Sequence, residues 1–417
     1  MTLFWMALFI TRPWEILFPE LAEWHIERLW ALTVIATVVA SGTLRLGRSF
    51  QTAAVLLFLG SLTLSSLCAL DGSAAWEELY KYMTLVVFYF ILLSVIRTPY
   101  HLLFVAASYI VVMAAYLAKA EYEHFVYGAG HYTMGVSRLI GIETTYGDPN
   151  SLAASCVLSL PIVVFLWRAR KPFTETWPRT LRTWFPVGLA LYFLLALTAI
   201  VLTNSRSGML GFAVFAFLTA TAGRKLRGKL AGLAGAAVVL AAIWAAMPAE
   251  SKDRLRTVWD PSRGPQSAHA SAYGRIEGMI AGLVMFERFP LTGVGIGNFI
   301  PYRVTEVDGV ALDAHSLIGE MLGETGLVGA VGFLLLVAAV FINCRKTESL
   351  ARAGSHPTLR MLSGLALACR TSTLLLIFFG LFGHNMLRFN WLWLAAFALL
   401  AKDFCTAVRA DEPGRLD

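Results

Sequence analysis

The chain has 417 residues, of which 57% are hydrophobic and 15% are charged, and its net charge is +7. Soluble globular proteins carry about 25% charged residues, so this composition excludes an ordinary soluble enzyme. The positive balance does not indicate a nucleic-acid partner, because basic residues of a membrane protein mainly mark the loops that stay on the cytoplasmic side.

Uncharged apolar runs recur along the chain, and each approaches the roughly 17–25 residues that a helix needs to cross a bilayer. They predict an all-α polytopic membrane protein with about 12 transmembrane helices, in a single membrane domain over residues 1–417. One long loop, residues 249–316, separates spans 9 and 10 and is predicted to carry part of the active site. The predicted spans are 1–20, 27–43, 51–70, 80–96, 100–118, 149–167, 185–203, 207–223, 230–248, 317–344, 361–383 and 389–405.

Basic residues are concentrated in alternate short loops and in the C-terminal tail, which together hold 19 of the 34 Lys and Arg residues. By the positive-inside rule, these segments face the cytoplasm. Both termini are therefore predicted to be cytoplasmic. Two hydrophilic connections, residues 119–148 and 249–316, are predicted to lie on the outer side of the membrane.

The first candidate site residues lie near the outer ends of spans 6 to 8. Asp148 and Asn150 stand at the start of span 6, where they could serve a site or cap the helix. Arg206 lies in TNSRSG, a short outer turn between spans 7 and 8, where the topology rule disfavours arginine. Anion binding would explain Arg206; the alternative is a side chain that reaches lipid headgroups.

The long outer loop holds further candidates among its basic residues, most of which are interpreted as surface. Arg275 stands near the start of SAYGRIEGMIAGLVMFERFP, whose apolar residues have helical spacing. An amphipathic helix against the membrane is predicted there, with Arg275 able to reach an anion. Arg303 is a secondary candidate. The glycines of GVGIGN predict a tight turn or a close approach of the backbone to a ligand.

His315 and Ser316 are predicted to start span 10, with His315 on one helix face together with Ile318, Gly319 and Leu322. A neutral imidazole at this position could accept a proton from a hydroxyl group. The alternative is a histidine that caps its helix.

Other polar residues near the outer face are weaker candidates. Glu320 and Glu324 point away from His315 by helical angle, so structural pairing is the preferred interpretation for them. His384 and Arg388 share a short outer loop. The sequence has no HExxH, CxxC or DxD motif, so no metal site is predicted. Arginine can bind phosphate oxygens instead, because its planar guanidinium group stays charged and can donate two parallel hydrogen bonds to them.

Five segments in this order carry a resemblance: YGDPNSLA, TNSRSGMLG, the long loop with Arg275, PLTGVGIGNF and AHS…ETGLVG. With these motifs, its span count and the position of its long loop, the chain resembles the O-antigen ligase / O-antigen polymerase superfamily of bacterial envelope enzymes. The motifs cover about residues 140–345, and the topology covers the whole chain.

The resemblance implies a multi-pass protein of the bacterial inner membrane that acts as a glycosyltransferase without metal or cofactor. Its donor would be a glycan linked to undecaprenyl diphosphate on the periplasmic leaflet, and transfer to a hydroxyl would invert the anomeric carbon. Carried over to this sequence, Arg206 and Arg275 would hold the diphosphate, and His315 would activate or orient the acceptor hydroxyl. The expected acceptor is the lipid A-core oligosaccharide, and membrane lipids surround both substrates.

Three activities within the superfamily remain open: O-antigen ligase, O-antigen polymerase and protein O-oligosaccharyltransferase. The short tail after span 12 favours the ligase. A secondary transporter is the alternative from a different class. It should show an internal repeat and broken helices at the midplane, whereas no convincing repeat is found and the polar residues concentrate at one face.

The predicted topology can be tested by labelling single cysteines with a membrane-impermeant reagent in a variant that lacks the five native cysteines. A cysteine near residue 265 should be labelled in cells whose inner membrane is intact. Cysteines near Arg170 and Lys225 should be labelled only after that membrane is broken. The reverse pattern would contradict both the topology and the periplasmic site.

Overall fold

The computed structural model describes residues 1–11, 26–133, 136–141, 147–222, 225–257, 259–260 and 266–412. Helices dominate this part of the chain. The second half of predicted span 1 and the neighbourhood of residue 265 lie outside the described residues. The α-helices are α1 Thr2–Thr11, α2 Ile26–Ala40, α3 Phe50–Leu67, α4 Gly72–Val95, α5 Pro99–Tyr127, α6 Pro149–Phe173, α7 Arg179–Leu202, α8 Arg206–Thr221, α9 Leu226–Ala246, α10 Ala249–Arg256, α11 Gln266–Arg288, α12 Phe299–Tyr302, α13 Leu317–Arg352, α14 Pro357–Gly380 and α15 Asn390–Ala410.

The helices confirm an all-α polytopic membrane protein. Within the described ranges, nine helices are long and apolar enough to cross a bilayer, namely α3 to α7, α9 and α13 to α15. Three shorter apolar helices, α1, α2 and α8, fall at predicted spans 1, 2 and 8. The number of spans stays a prediction.

The two connections predicted to lie outside the membrane both contain regular structure. Helix α5 continues to Tyr127 and is followed by a short antiparallel hairpin of β1 His131–Thr133 and β2 Val136–Arg138. The long loop contains α10, α11, α12 and a π-helical turn, Arg303–Val307. The predicted helix around Arg275 is therefore confirmed as α11.

The chain forms two compact units. The first consists of Met1–Thr37 and Tyr100–His269, and the second of Val38–Pro99 and Ala270–Asp417. In the first unit α6 packs against α7 and α8, and a buried hydrogen bond of 2.6 Å joins the hydroxyl groups of Ser159 and Tyr192. In the second unit α13 packs against α3, α14 and α15.

Several buried polar groups in the second unit form hydrogen bonds or ion pairs with one another, which lowers the cost of placing them in an apolar environment. Gln51 on α3 donates from Nε2 to the Ala395 carbonyl oxygen at 2.6 Å, and its Oε1 accepts from Asn343 Nδ2 at 2.7 Å. Arg370, which lies inside predicted span 11, forms a 2.8 Å ion pair with Glu348 on α13.

Glycines bring α11 and α13 into main-chain contact. A Cβ added at Gly278 would overlap the Ala314 carbonyl oxygen, and one at Gly282 would overlap Gly319. A Cβ at Gly323 would lie 3.1 Å from Gly282 Cα. The two Gly-x-x-x-Gly pairs therefore face each other, and the absence of side chains at these positions lets the two helix backbones approach closely.

Helix α13 is interrupted at Gly326, whose φ of 57° and ψ of −157° are accessible to glycine but strained for other residues. The loop before α12 bonds to this opened main chain. Leu327 N donates to Pro290 O at 2.8 Å, and Gly295 N donates to Glu324 O at 3.0 Å. The glycines of GVGIGN thus serve the predicted turn and close backbone packing.

Gly282→Ala is expected to lower the thermal unfolding midpoint, because overpacking a close contact costs about 1–3 kcal/mol. Gly274→Ala is the matched control on the same helix, since its added Cβ meets nothing within 4 Å. Alanine should stabilise the helix there by about 0.5–1 kcal/mol. Equal midpoints for the two purified variants would contradict the contact between α11 and α13.

Candidate functional site

In the first unit, TNSRSG forms the turn between α7 and α8. Ser205 is the N-cap of α8, and its Oγ accepts from Gly208 N at 3.1 Å. Arg206 is therefore the first residue of a helix, where the backbone N–H groups already create a positive potential. A cation is unfavourable at this end of a helix, whereas an anion is stabilised by it. The position of Arg206 thus favours an anion-binding role.

A second arginine lies beside this turn. Arg206 Nη1 donates to Thr257 Oγ1 at 2.8 Å, and Thr257 Oγ1 donates to the Arg254 carbonyl oxygen at 2.7 Å. Arg254 is only 6% exposed, so the interpretation of most basic residues in this loop as surface does not extend to it. Its pKa is lowered by burial and then by the positive charge of Arg206. An anion would relieve this repulsion.

Arg138 on β2 completes a group of three arginines around the turn, which we name the arginine cluster: Arg138, Arg206 and Arg254. Arg138 donates from Nη2 to Asn150 Oδ1 at 2.9 Å, and Ser205 Oγ donates to the same oxygen at 2.9 Å. Asn150 therefore connects Arg138 to the turn.

Asp148 caps the N-terminus of α6. Its Oδ2 accepts from Ser151 N at 2.8 Å. Asp148 thus has the capping role, one of the two roles that the sequence analysis left open. Its Oδ1 also accepts from Asn150 Nδ2 at 3.3 Å. Asp148 thereby holds the residue that contacts Arg138.

In the second unit, His315 does not start span 10 as predicted. Helix α13 begins at Leu317, and Ser316 is its N-cap, with Oγ accepting from Gly319 N at 3.4 Å. His315 precedes the cap and has a left-handed backbone, with φ 46°. It therefore neither shares a helix face with Ile318 nor caps the helix, because only a turn outside the helix accommodates this φ.

The loop between α14 and α15 brings three candidates near one another. Arg275 Nε donates to the Phe382 carbonyl oxygen at 3.0 Å. The ring of His315 lies 5.7 Å from the ring of His384, centroid to centroid. His384 Nε2 lies 3.7 Å from Asp313 Oδ2. The chain segment before α13 and the loop after α14 thus meet around His315.

A cavity of about 440 Å³ opens beside His384 in the second unit. Its acidic and basic lining residues are Glu78, Asp313, Glu320, Glu324, His384 and Arg388. Among the described residues, no group of three or more His, Cys, Asp or Glu side chains is arranged to hold a metal ion. The carboxylate, imidazole and guanidinium groups of the lining can form hydrogen bonds with a polar ligand.

Glu320 and Glu324 are structural partners of the main chain as well as lining residues. Glu320 Oε2 accepts from Met386 N at 3.0 Å, and Glu324 Oε1 accepts from Phe299 N at 3.3 Å. The expected structural pairing is thus with backbone N–H groups. The sequence analysis did not predict that Glu320 and Glu324 line the cavity. It compared their directions with that of His315 by helical angle, and this comparison fails because His315 is not part of the helix.

Arg303 has a structural environment. It is fully buried, and it donates from Nη2 to Asp308 Oδ2 at 2.8 Å and from Nη1 to the Leu312 carbonyl oxygen at 3.1 Å. The hydrogen bond from Arg303 lowers the pKa of Asp308. Its guanidinium group holds the loop after the π-helical turn, so we do not include Arg303 in the proposed site.

A family model described as O-antigen ligase matches residues 191–334. Over this segment, about a third of its length, the chain is similar to the O-antigen ligase family. The superfamily resemblance predicted from the motifs is confirmed. No curated protein sequence gives a significant match.

The matched segment runs from within α7 into α13 and contains Arg206, Arg275 and His315. His384 and Arg388 lie beyond it. The family match supports a glycosyltransferase-like activity of the O-antigen ligase or polymerase type, with a lipid-linked glycan and a membrane context. The roles of individual residues remain to be proposed from the geometry.

Proposed function

We propose that the protein is an O-antigen ligase of the bacterial inner membrane. It transfers a glycan from undecaprenyl diphosphate to a hydroxyl group of the lipid A-core oligosaccharide on the periplasmic side, with inversion at the anomeric carbon. The observation that carries the proposal is the position of His315. It lies in the family-matched segment, outside the helix, beside His384 and a polar cavity.

His315 acts on the acceptor hydroxyl. A neutral imidazole accepts the proton as the oxygen attacks the anomeric carbon. The left-handed backbone of His315 places the side chain before the capped helix rather than along it. Such backbone conformations are held at a cost of about 1–3 kcal/mol and tend to occur at functional sites.

The arginines act on the donor. Negative charge develops on the diphosphate as its bond to the sugar breaks, and preplaced cations stabilise charge where it appears. Arg206, with Arg254 beside it, presents guanidinium groups at a helix N-terminus. Arg275, held by the Phe382 carbonyl oxygen, is the proposed second diphosphate contact. No metal ion is required in this mechanism.

Deletion of the gene is expected to remove the whole ladder of O-antigen bands from the lipopolysaccharide, because no glycan would reach the core. Gel electrophoresis of lipopolysaccharide from the deletion strain, with and without the complementing gene, gives the result. A band with a single repeat unit would indicate a polymerase instead. An unchanged ladder would contradict both activities.

His315→Asn is expected to abolish transfer and leave the unfolding midpoint nearly unchanged. Asparagine tolerates the left-handed backbone, whereas alanine would add strain of about 1–2 kcal/mol. The amide cannot accept the proton as imidazole does. Transfer is measured with purified protein, lipid-linked donor and lipid A-core acceptor. Near-normal activity of the Asn variant would exclude His315 from catalysis.

Arg206→Lys and Arg275→Lys are each expected to reduce transfer by about 100-fold, nearly as much as alanine, because lysine lacks the paired donors.

The assay contains excess chelator, in which the wild-type protein should remain active. A small loss with lysine and a large loss with alanine would mean simple charge attraction. Activity that depends on added Mg²⁺ or Mn²⁺ would contradict the arginine mechanism.

A further inference from the structure

An apolar groove in the first unit lies toward the other end of α6 from the arginine cluster. It is formed by α6, α7 and α8, and its volume is about 560 Å³, within the usual range for small-ligand sites of about 300–1,000 Å³. At 1.5 Å per residue, its lining residue Arg168 stands about 27 Å along α6 from Asn150. The groove is therefore separate from the proposed diphosphate site.

The wall of this groove is apolar and is accessible from outside the unit. Val163 and Val164 line it from α6, and Leu189, Phe193 and Leu194 line it from α7. Leu194 is 58% exposed, so the groove opens to the medium around the helices. In a membrane that medium is lipid, whose tails are as apolar as these side chains. The groove can thus hold a hydrocarbon chain from the bilayer.

Positive charge is concentrated at one border of the groove. Arg168 lines the groove itself, and Arg170 and Lys171 follow in the last turn of α6. Residues 168–182 contain five basic residues and one acidic residue, and by the positive-inside rule this end of α6 is predicted to be cytoplasmic. Basic pockets between membrane helices on that side suit lipids with negatively charged headgroups.

Aromatic contacts hold the segment that carries these charges. Trp167 lines the groove, and the guanidinium carbon of Arg170 lies 4.7 Å from the centre of its ring. After the helix, Trp177 donates from Nε1 to the hydroxyl oxygen of Tyr100 at 2.6 Å, and its ring lies 5.0 Å from that of Phe173. Tryptophan is enriched at the level of lipid headgroups, so this border matches the depth of a headgroup.

We propose that the groove binds one glycerophospholipid with an anionic headgroup. An acyl chain lies along α6 and α7, and the phosphate contacts Arg168. A second copy of the chain is a poorer occupant, because a symmetric dimer through this surface would bring the same basic residues together. The inference does not depend on the proposed glycan transfer.

Two variants test the two parts of the site. Ala190→Phe fills the groove, because Ala190 has the smallest side chain of its lining. Its control is Ala237→Phe, which adds the same ring at an exposed position of α9 outside the groove. Arg168→Gln removes the charge at the border. Its control is Arg227→Gln, which removes an exposed positive charge from α9, outside the groove.

Bound lipid is counted by native mass spectrometry of the full-length protein in detergent, supplied with phosphatidylglycerol or with phosphatidylcholine. The wild type should retain one phosphatidylglycerol molecule and prefer it to phosphatidylcholine by at least about 5-fold. Arg168→Gln should weaken retention by about 5-fold, as expected for the loss of one basic residue, and Ala190→Phe should abolish it. Both controls should bind as the wild type does, and unfolding midpoints measured without lipid show that the variants are folded.

Equal retention of the two lipids by the wild type would overturn the site, and so would unchanged retention by folded Ala190→Phe. Equal losses in Arg168→Gln and Arg227→Gln would mean diffuse attraction to basic segments and would also contradict it. A dimer without bound lipid would assign the groove to a second copy. Glycerol phosphate, which carries the charge without acyl chains, should not displace the lipid; displacement would exclude the groove from binding.

Discussion

Main-chain contact between α11 and α13 is the constraint on which the second unit depends. Helix α11 belongs to the long outer loop, and small residues at its contact with α13 let the two backbones approach closely. Gly278 and Gly282 on α11 meet Ala314 and Gly319 in this way. Arg275 lies one turn before Gly278, so the contact that positions α11 also positions the guanidinium group near the segment that carries His315.

The interruption of α13 leaves backbone N–H and C=O groups that need hydrogen-bond partners outside the helix. An opened helix in a bilayer is tolerated only where other protein groups bond its main chain. The loop before α12 supplies these bonds, and Ser65 Oγ adds one to the Glu324 carbonyl oxygen at 2.8 Å. Glu324 is thereby held with its side chain in the cavity wall. The glycines of PLTGVGIGNF and ETGLVG, which carry the family resemblance, are the residues that make this approach possible.

The sequence predicts the helices well because apolar runs of bilayer length depend on local composition alone. It also predicts a helix at Arg275, where the periodicity is local. The left-handed backbone of His315, the interruption at Gly326 and the burial of Arg254 depend on tertiary packing, which periodicity does not report. For Arg303, the sequence does contain an indication of its structural role. Asp308 follows five residues later and forms an ion pair with it.

Charged side chains of this protein form pairs of opposite sign at some places and lie beside groups of like sign at others. Arg303 with Asp308 and Arg370 with Glu348 are pairs of opposite sign, as burial of charge requires. Among the described residues, groups of like sign also lie side by side: Arg206 beside Arg254 in the first unit, and Glu320 beside Glu324 in the second. Like charges destabilise a fold when they are partly buried. A bound anion would offset this cost at Arg206 and Arg254, which agrees with the proposed binding of the donor diphosphate beside them.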